Sequence, residues 1–141
     1  MSHGPKLQIQ SRANGLFKHL LQLHKSVRAR QSETLLEGKH LLGAYLEQGG
    51  RPLAVLVSAA MLQDLEYQEL QYRYQLNPIV LSELLLRSLS DLKTPAGVIT
   101  QIEIPRARAL VKLEFILCLE QIQDPGNLGS ILRSAAAARV E

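Results

Sequence analysis

The sequence predicts an α/β protein: a layered domain with a largely parallel or mixed sheet, followed by one strand–turn–helix unit. Strand-like and helix-like segments alternate from Thr34 to Ile104, which is the pattern of an α/β domain. A basic stretch over 105–112 has no long apolar run and interrupts the alternation. An apolar run, Phe115–Leu119, then leads through a polar turn into a helix-like segment. These observations divide the chain into a flexible lead-in over 1–10, a domain over 11–105, a linker over 106–112 and a second unit over 113–141.

The composition is that of a globular protein, with 46% hydrophobic and 21% charged residues in a chain of 141. No apolar run reaches the length of a membrane span, and the N-terminus lacks the apolar core of a secretory signal. The single cysteine, Cys118, lies in an apolar run that favours a small buried hydrophobe over a nucleophile. We therefore expect a cytoplasmic protein. No metal site is expected, since His19 and His24 are badly spaced for shared ligation.

Positive charge is concentrated at the start of the chain. No acidic residue precedes Glu33, whereas six basic residues do; they are Lys6, Arg12, Lys18, Lys25, Arg28 and Arg30. The rest of the chain carries ten basic against thirteen acidic residues. A basic segment on a slightly acidic body indicates a polyanionic partner, and a solvated helix face without a partner explains the charge equally well.

The pattern predicts each element of the first domain in turn. A helix begins at Ser11, a favoured N-cap residue, and carries an apolar stripe that includes Leu16, Leu20 and Leu23. The strands that follow are expected at Thr34–Leu36, Pro52–Val57, Pro78–Leu81 and Val98–Ile104. The helices between them are expected at Lys39–Glu47, from Ser58 to about Leu65 with a continuation towards Gln71, and from Ser82 to Leu89.

The second unit contains the most specific pattern of the chain. After the apolar run, Pro125 and Gly126 set a turn, and Asn127 stands where a helix N-cap belongs. The backbone amides that follow favour an anion, because the helix dipole is positive at that end. Arg133 shares a helix face with Gly129 and is therefore expected beside the turn.

Residues 124–136 resemble the first motif of the SpoU branch of the SPOUT-class RNA methyltransferases, which methylate ribose 2′-hydroxyls. They read Asp-Pro-Gly-Asn-Leu-Gly-Ser-Ile-Leu-Arg-Ser-Ala-Ala. Three earlier stretches match that family's N-terminal substrate-binding domain in the right order: Ser11–Asn14 with Lys18, Leu36–Gly38, and Thr94–Val98. The chain departs from the family at Arg139, where a glycine is usual, and in lacking the second and third motifs.

The resemblance implies a three-layer α/β/α substrate-binding domain of the ribosomal-protein type, followed by the first strand–helix unit of a knotted SPOUT domain. It implies S-adenosylmethionine as the cofactor and a parent enzyme that dimerises through its catalytic domain. The missing motifs form the knot and most of the methyl-donor pocket. We therefore expect an N-terminal fragment of a longer RNA 2′-O-ribose methyltransferase, inactive alone, whose own role is RNA binding.

The resemblance also assigns roles to residues. Asn127 and Arg133 match positions that the family uses, which implies that Asn127 positions the ribose or the arginine. For Arg133 we favour phosphate binding and stabilisation of alkoxide charge, because a guanidinium is a poor base. Contacts to RNA are expected from Arg12, Asn14, Lys18, Lys25, Arg28 and Arg30.

Ribosomal RNA is the first choice of substrate and transfer RNA the second. The alternative function is a non-catalytic RNA-binding protein that resembles a ribosomal protein. The segment Gly126–Gly129 is not a dinucleotide-binding fingerprint, and the flanking strand and Ala-rich helix suit a KH-domain loop less well than the methyltransferase motif.

Overall fold

The computed structural model describes residues 7–26, 32–105 and 116–140, and the chain divides into two compact units between Pro105 and Arg106. The first unit contains β1 (Leu7–Ile9), α1 (Gly15–Lys25), β2 (Glu33–Glu37), α2 (Lys39–Glu47), β3 (Ala54–Val57), a 3₁₀ turn (Met61–Gln63), α3 (Leu65–Arg73), β4 (Ile79–Leu81), α4 (Glu83–Arg87) and β5 (Val98–Glu103). The second unit contains α5 (Pro125–Ala137).

The first unit is built on one mixed sheet of five strands in the order β1-β4-β3-β5-β2. β1, β4 and β3 run parallel, whereas β5 is antiparallel to both of its neighbours, β3 and β2. The predicted mixed sheet is thus confirmed. β2 lies at one edge of the sheet, with β5 as its neighbour.

Helices cover both faces of the sheet, as alternation along β3 shows. Leu56 belongs to a core cluster with Phe17 of α1 and Leu85 of α4. Its neighbours Val55 and Val57 belong to a second cluster, which contains Leu42 of α2 and Tyr67 of α3. Since successive side chains of a strand point to opposite faces, α1 and α4 cover one face and α2 and α3 the other. The first unit has the three-layer α/β/α architecture.

Most elements of the first unit confirm the prediction, and α2 matches it residue for residue. The prediction of a flexible lead-in over 1–10 was wrong for its last residues. Leu7–Ile9 pairs with Ile79–Leu81, and Ile9 is buried. A strand of three residues is too short to show a period, and its partner lies far along the chain. Residues 1–6 lie outside the described part.

Two helix starts were also wrong. The Asn14 side chain caps α1 by accepting from the Phe17 amide at 3.2 Å, while Ser11 accepts from Ala13 in the turn before it. The segment after Ser58 forms the 3₁₀ turn first, and α3 begins after Asp64. Asp64 accepts from the Tyr67 amide at 2.9 Å, which starts a new helix instead of extending the turn.

The second unit differs from the prediction before its helix. Residues 116–124 have no regular secondary structure, so the expected strand is wrong over 116–119; Phe115 and the linker 106–112 lie outside the described residues. Cys118 is exposed instead of buried. An apolar run forms a strand only where a neighbouring strand takes up its backbone groups, and none pairs with 116–119 within the described residues. Among the described helices, none has the length and hydropathy to cross a bilayer.

Candidate functional site

The N-terminal turn of α5 is organised by Asp124. Its carboxylate accepts a hydrogen bond from the Asn127 backbone N–H at 2.9 Å, and Pro125 occupies the first helical position. Aspartate at the cap and proline directly after it are the residues that a helix start favours. The prediction that Asn127 is the N-cap was therefore wrong, and Asn127 lies within the first turn.

This correction leaves the Asn127 side chain available. It is exposed and makes no hydrogen bond within the part of the chain that the structure describes. It projects beside the positive end of a helix of 13 residues. A Cβ at Gly126 would lie 2.9 Å from Asp124 Oδ1, so a larger residue there would displace the capping carboxylate.

Arg133 reaches back along α5 towards the same turn. Its Nη2 donates to the Ser130 hydroxyl at 3.1 Å, and that hydroxyl donates to the Gly126 carbonyl at 3.0 Å. A Cβ at Gly129 would lie 3.3 Å from Arg133 Nη1, so the glycine gives the guanidinium room to lie against the helix. The predicted shared face of Arg133 and Gly129 is confirmed.

Arg139, where the sequence departs from the family pattern, lies at the end of α5. The Val140 amide donates to the Ala135 carbonyl and the Arg139 amide to the Ala136 carbonyl, each at 3.0–3.1 Å, which is a Schellman ending. Arg139 takes the left-handed position with φ of 55°. Glycine is favoured there because it has no Cβ, and the arginine adopts the same backbone at a conformational cost.

Residues 116–140 do not enclose a cofactor by themselves, since none of them is buried. Several large apolar side chains are at least one-third exposed; they are Ile116, Leu117, Leu119, Ile122, Leu128 and Leu132. A methyl donor needs a concave, largely apolar site. Within the described second unit, these residues present the N-terminal turn of α5 and the exposed Arg133 side chain.

The predicted RNA contacts of the first unit lie at and along α1. Arg12, Lys18 and Lys25 are exposed, whereas Arg28 and Arg30 lie outside the described residues. Asn14 is half-buried, and its carbonyl oxygen is used by the helix cap. The Asn14 amide group can still contact a base, and Arg12, Lys18 and Lys25 are exposed positive groups in the described part of this segment.

Sequence reasoning missed Glu37, which joins two of the stretches that carried the resemblance. Its Oε1 accepts from the Ser90 hydroxyl at 2.6 Å and from the Ala96 amide at 3.1 Å. Gly38 and Gly97 flank this contact with φ of 107° and 77°. A glycine directly after a strand and another directly before one were the available signals for such a junction.

A second carboxylate ties α1 to the sheet edge. Glu33 Oε2 lies 3.1 Å from His19 Nε2 and 2.6 Å from Gln101 Nε2. These hydrogen bonds, that of His19 first, hold the pKa of Glu33 below its ordinary value, and partial burial opposes them. Within the described residues no cluster of metal-ligating side chains occurs.

Known proteins resemble this chain over nearly its whole length. No family model matches it. It is 34% identical, over 94% of its length, to an uncharacterized tRNA/rRNA methyltransferase of Synechocystis. It is 30% identical, over 95% of its length, to the 23S rRNA (guanosine(2553)-2′-O)-methyltransferase of Bacillus subtilis.

The solved structures that resemble this chain are also RNA methyltransferases. The chain superposes with a TM-score of 0.69 on an RNA 2′-O ribose methyltransferase, at 32% identity and over 96% of its length. The same score is found over 90% of its length with the SpoU methyltransferase AviRb of Streptomyces viridochromogenes in complex with AdoMet, at 25% identity. In sequence and in fold the chain is similar to SpoU-type RNA methyltransferases.

The chain spans about half the length of the curated relatives that it matches, 50% for the Synechocystis protein and 52% for the Bacillus subtilis enzyme. It covers 54% and 51% of the two superposed structures.

Proposed function

We propose that this chain is the RNA-binding domain and first catalytic motif of an S-adenosylmethionine-dependent RNA 2′-O-ribose methyltransferase. The observation that carries the proposal is the 30% identity, over 95% of the chain, to a 23S rRNA 2′-O-methyltransferase. The AdoMet complex of the superposed AviRb supports the cofactor.

The first unit binds the RNA. Arg12, Lys18 and Lys25 are exposed cations at and along one helix, and such side chains neutralise successive phosphates. Arg28 and Arg30 follow in the sequence and extend the same charge. Asn14 adds an amide donor at the start of this helix.

In the second unit, the positively charged Arg133 side chain stabilises negative charge on the RNA. Methyl transfer requires the ribose 2′-oxygen to lose its proton and act as a nucleophile, and S-adenosylmethionine supplies the methyl group when bound. The guanidinium stays protonated, so it binds a phosphate or the developing alkoxide instead of taking the proton. Asn127, whose side chain the helix cap does not use, orients the ribose or the arginine.

Ribosomal RNA is the proposed substrate, and transfer RNA the second candidate. The relatives include a 23S rRNA methyltransferase and an uncharacterized tRNA/rRNA methyltransferase. We place the protein in the cytoplasm, as a homodimer through its catalytic domain. The competing proposal is a non-catalytic RNA-binding protein that resembles a ribosomal protein.

The deciding experiment measures methyl transfer from labelled S-adenosylmethionine to ribosomal RNA by the full-length gene product. Arg133→Lys keeps the charge and loses the planar fork, so we expect a loss of activity with RNA binding unchanged. Arg87→Lys, an arginine of the first unit, is the matched control. Absence of both donor binding and transfer in the wild-type product would favour the non-catalytic alternative.

A further inference from the structure

A cavity of about 240 Å³ opens between α1 and the edge strand β2. Its walls include the apolar side chains of Leu35 and Ile99. Leu41 and Leu92 also line it, and each is 52% exposed. Pockets for drug-sized ligands measure roughly 300–1,000 Å³, so this one suits a smaller flat group between apolar walls.

The Glu37 carboxylate places a hydrogen-bond acceptor in this cavity. Glu37 lines it, and its Oε1 is used by Ser90 and Ala96. Its Oε2 makes no hydrogen bond with any described residue. Two bonds to one oxygen fix the carboxylate, so the second oxygen is a positioned acceptor for an N–H group.

The other polar groups of the cavity add no strong cation. His24 Nε2 lies 3.5 Å from Asp91 Oδ1, and both residues line the cavity with Thr34. β2 is an edge strand, and edge strands present unpaired backbone donors and acceptors. An anion is disfavoured here, because Glu37 and Asp91 are both acidic.

The cavity lies next to the basic helix. His24, on its wall, directly precedes the exposed Lys25, and Lys18 lies two turns earlier on α1. An RNA strand whose phosphates follow these cations brings its unpaired bases to the mouth of the cavity. Unpaired bases are recognised by hydrogen bonds at their edges and by contact with their flat faces.

We propose that this cavity binds one unpaired RNA base that carries an amino group, as cytosine, adenine and guanine do and uracil does not. The amino group donates to Glu37 Oε2, and the ring lies between the apolar walls. A carboxylate that accepts from a cytosine amino group is an established pairing. The inference rests on the proposed RNA-binding function and adds base preference to it.

The test measures binding of the 141-residue chain to single-stranded oligonucleotides of cytidine, adenosine or uridine, each about ten nucleotides long. Uracil has an N–H donor at N3, but this group lies between two carbonyl oxygens that a carboxylate repels. We therefore expect cytidine and adenosine to bind about fivefold more tightly than uridine, an effect the size of one net hydrogen bond. Glu37→Gln keeps an oxygen for Ser90 and Ala96 and replaces the free acceptor by a donor. The preference should therefore shift towards uridine.

A second variant covers the mouth of the cavity without touching Glu37. Leu41→Trp should abolish the preference, whereas Leu84→Trp, at a 66% exposed position of α4 that does not line the cavity, should retain it. Salt-sensitive binding with equal affinities for all three oligonucleotides would overturn the base site and leave the proposed function intact. Absence of salt-sensitive binding would overturn the proposed RNA-binding function itself.

Discussion

Glu37 and Ser90 join the end of β2 to the loop after α4 through a 2.6 Å hydrogen bond between the Ser90 hydroxyl and Glu37 Oε1. The same oxygen accepts from the Ala96 amide at 3.1 Å. One carboxylate thus fixes the loop that leads into β5, in a region where Gly38 donates to the Val98 carbonyl. Two stretches that carried the family resemblance meet at this point.

Loss of this carboxylate should destabilise the fold. Glu37→Ala removes both hydrogen bonds to the loop and should lower the free energy of unfolding by about 2 kcal/mol, measured by urea denaturation. Ser90→Ala removes one of them and should cost about half as much. Glu103→Ala, at the exposed end of β5, is the control with little expected effect. Equal stability of the first and last variants would contradict the assigned role.

Acid should weaken the contact of α1 with the sheet edge. The hydrogen bonds from His19 and Gln101 lower the pKa of Glu33 in the folded chain. A lowered folded pKa gives stabilisation that is present above the unfolded pKa, about 4.3 for glutamate, and is lost as the pH falls through the folded value. NMR titration of the Glu33 carboxyl should show this pKa rise in Gln101→Leu and rise further in His19→Phe. A wild-type Glu33 that titrates at its ordinary value would refute the contact.

At the start of α5, replacing Asp124 should affect stability, whereas replacing Asn127 should affect function. Asp124→Ala removes the acceptor for the Asn127 amide and should destabilise the helix start by about 1 kcal/mol, seen as faster hydrogen exchange of that amide. Asn127→Ala should leave the exchange unchanged and lower methyl transfer by the full-length gene product. The reverse pattern would restore Asn127 as the cap.

The left-handed end of α5 should accept glycine. Arg139 holds φ of 55° at the position where glycine has no steric cost, so Arg139→Gly should stabilise the Schellman ending by about 1 kcal/mol. Slower exchange of the Val140 amide, which donates to Ala135, reports the gain. Arg139→Ala is the control, because it removes the charge and retains the Cβ. Slower exchange in the alanine variant as well would show that the charge, and not the backbone, sets the stability.

The basic helix should determine the salt dependence of RNA binding. Replacing Arg12, Lys18 and Lys25 by Ala should lower the slope of log K against log salt by about 2, at about 0.7 for each phosphate contact on a single strand. The matched control replaces three exposed cations elsewhere, Arg51, Arg73 and Lys93, by Ala. An equal change of slope in both triple variants would place the RNA on a different surface.

Helix starts show where local sequence leaves the structure open. Ser11 and Asn14 both have a side chain that caps helices, as do Asn127 and Asp124. In each pair the chain uses the residue that the sequence reasoning did not choose. Side chains of similar capping strength compete within a few residues. In α1 the first turn places Phe17 in the core, whereas in α5 Pro125 at the first helical position makes Asp124 the cap.

The sequence by itself determined the alternation of strands and helices in the first unit, the basic character of α1 and the family motif on α5. These features are local, because hydrophobic period, charge and turn residues act over one or two turns of chain. Only the tertiary structure decided that Leu7–Ile9 is a strand, that Glu37 holds the loop before β5 and that residues 116–119 are not a strand. Each of these depends on whether a partner from a distant part of the chain satisfies the backbone or carboxylate groups, and no local pattern records that partner.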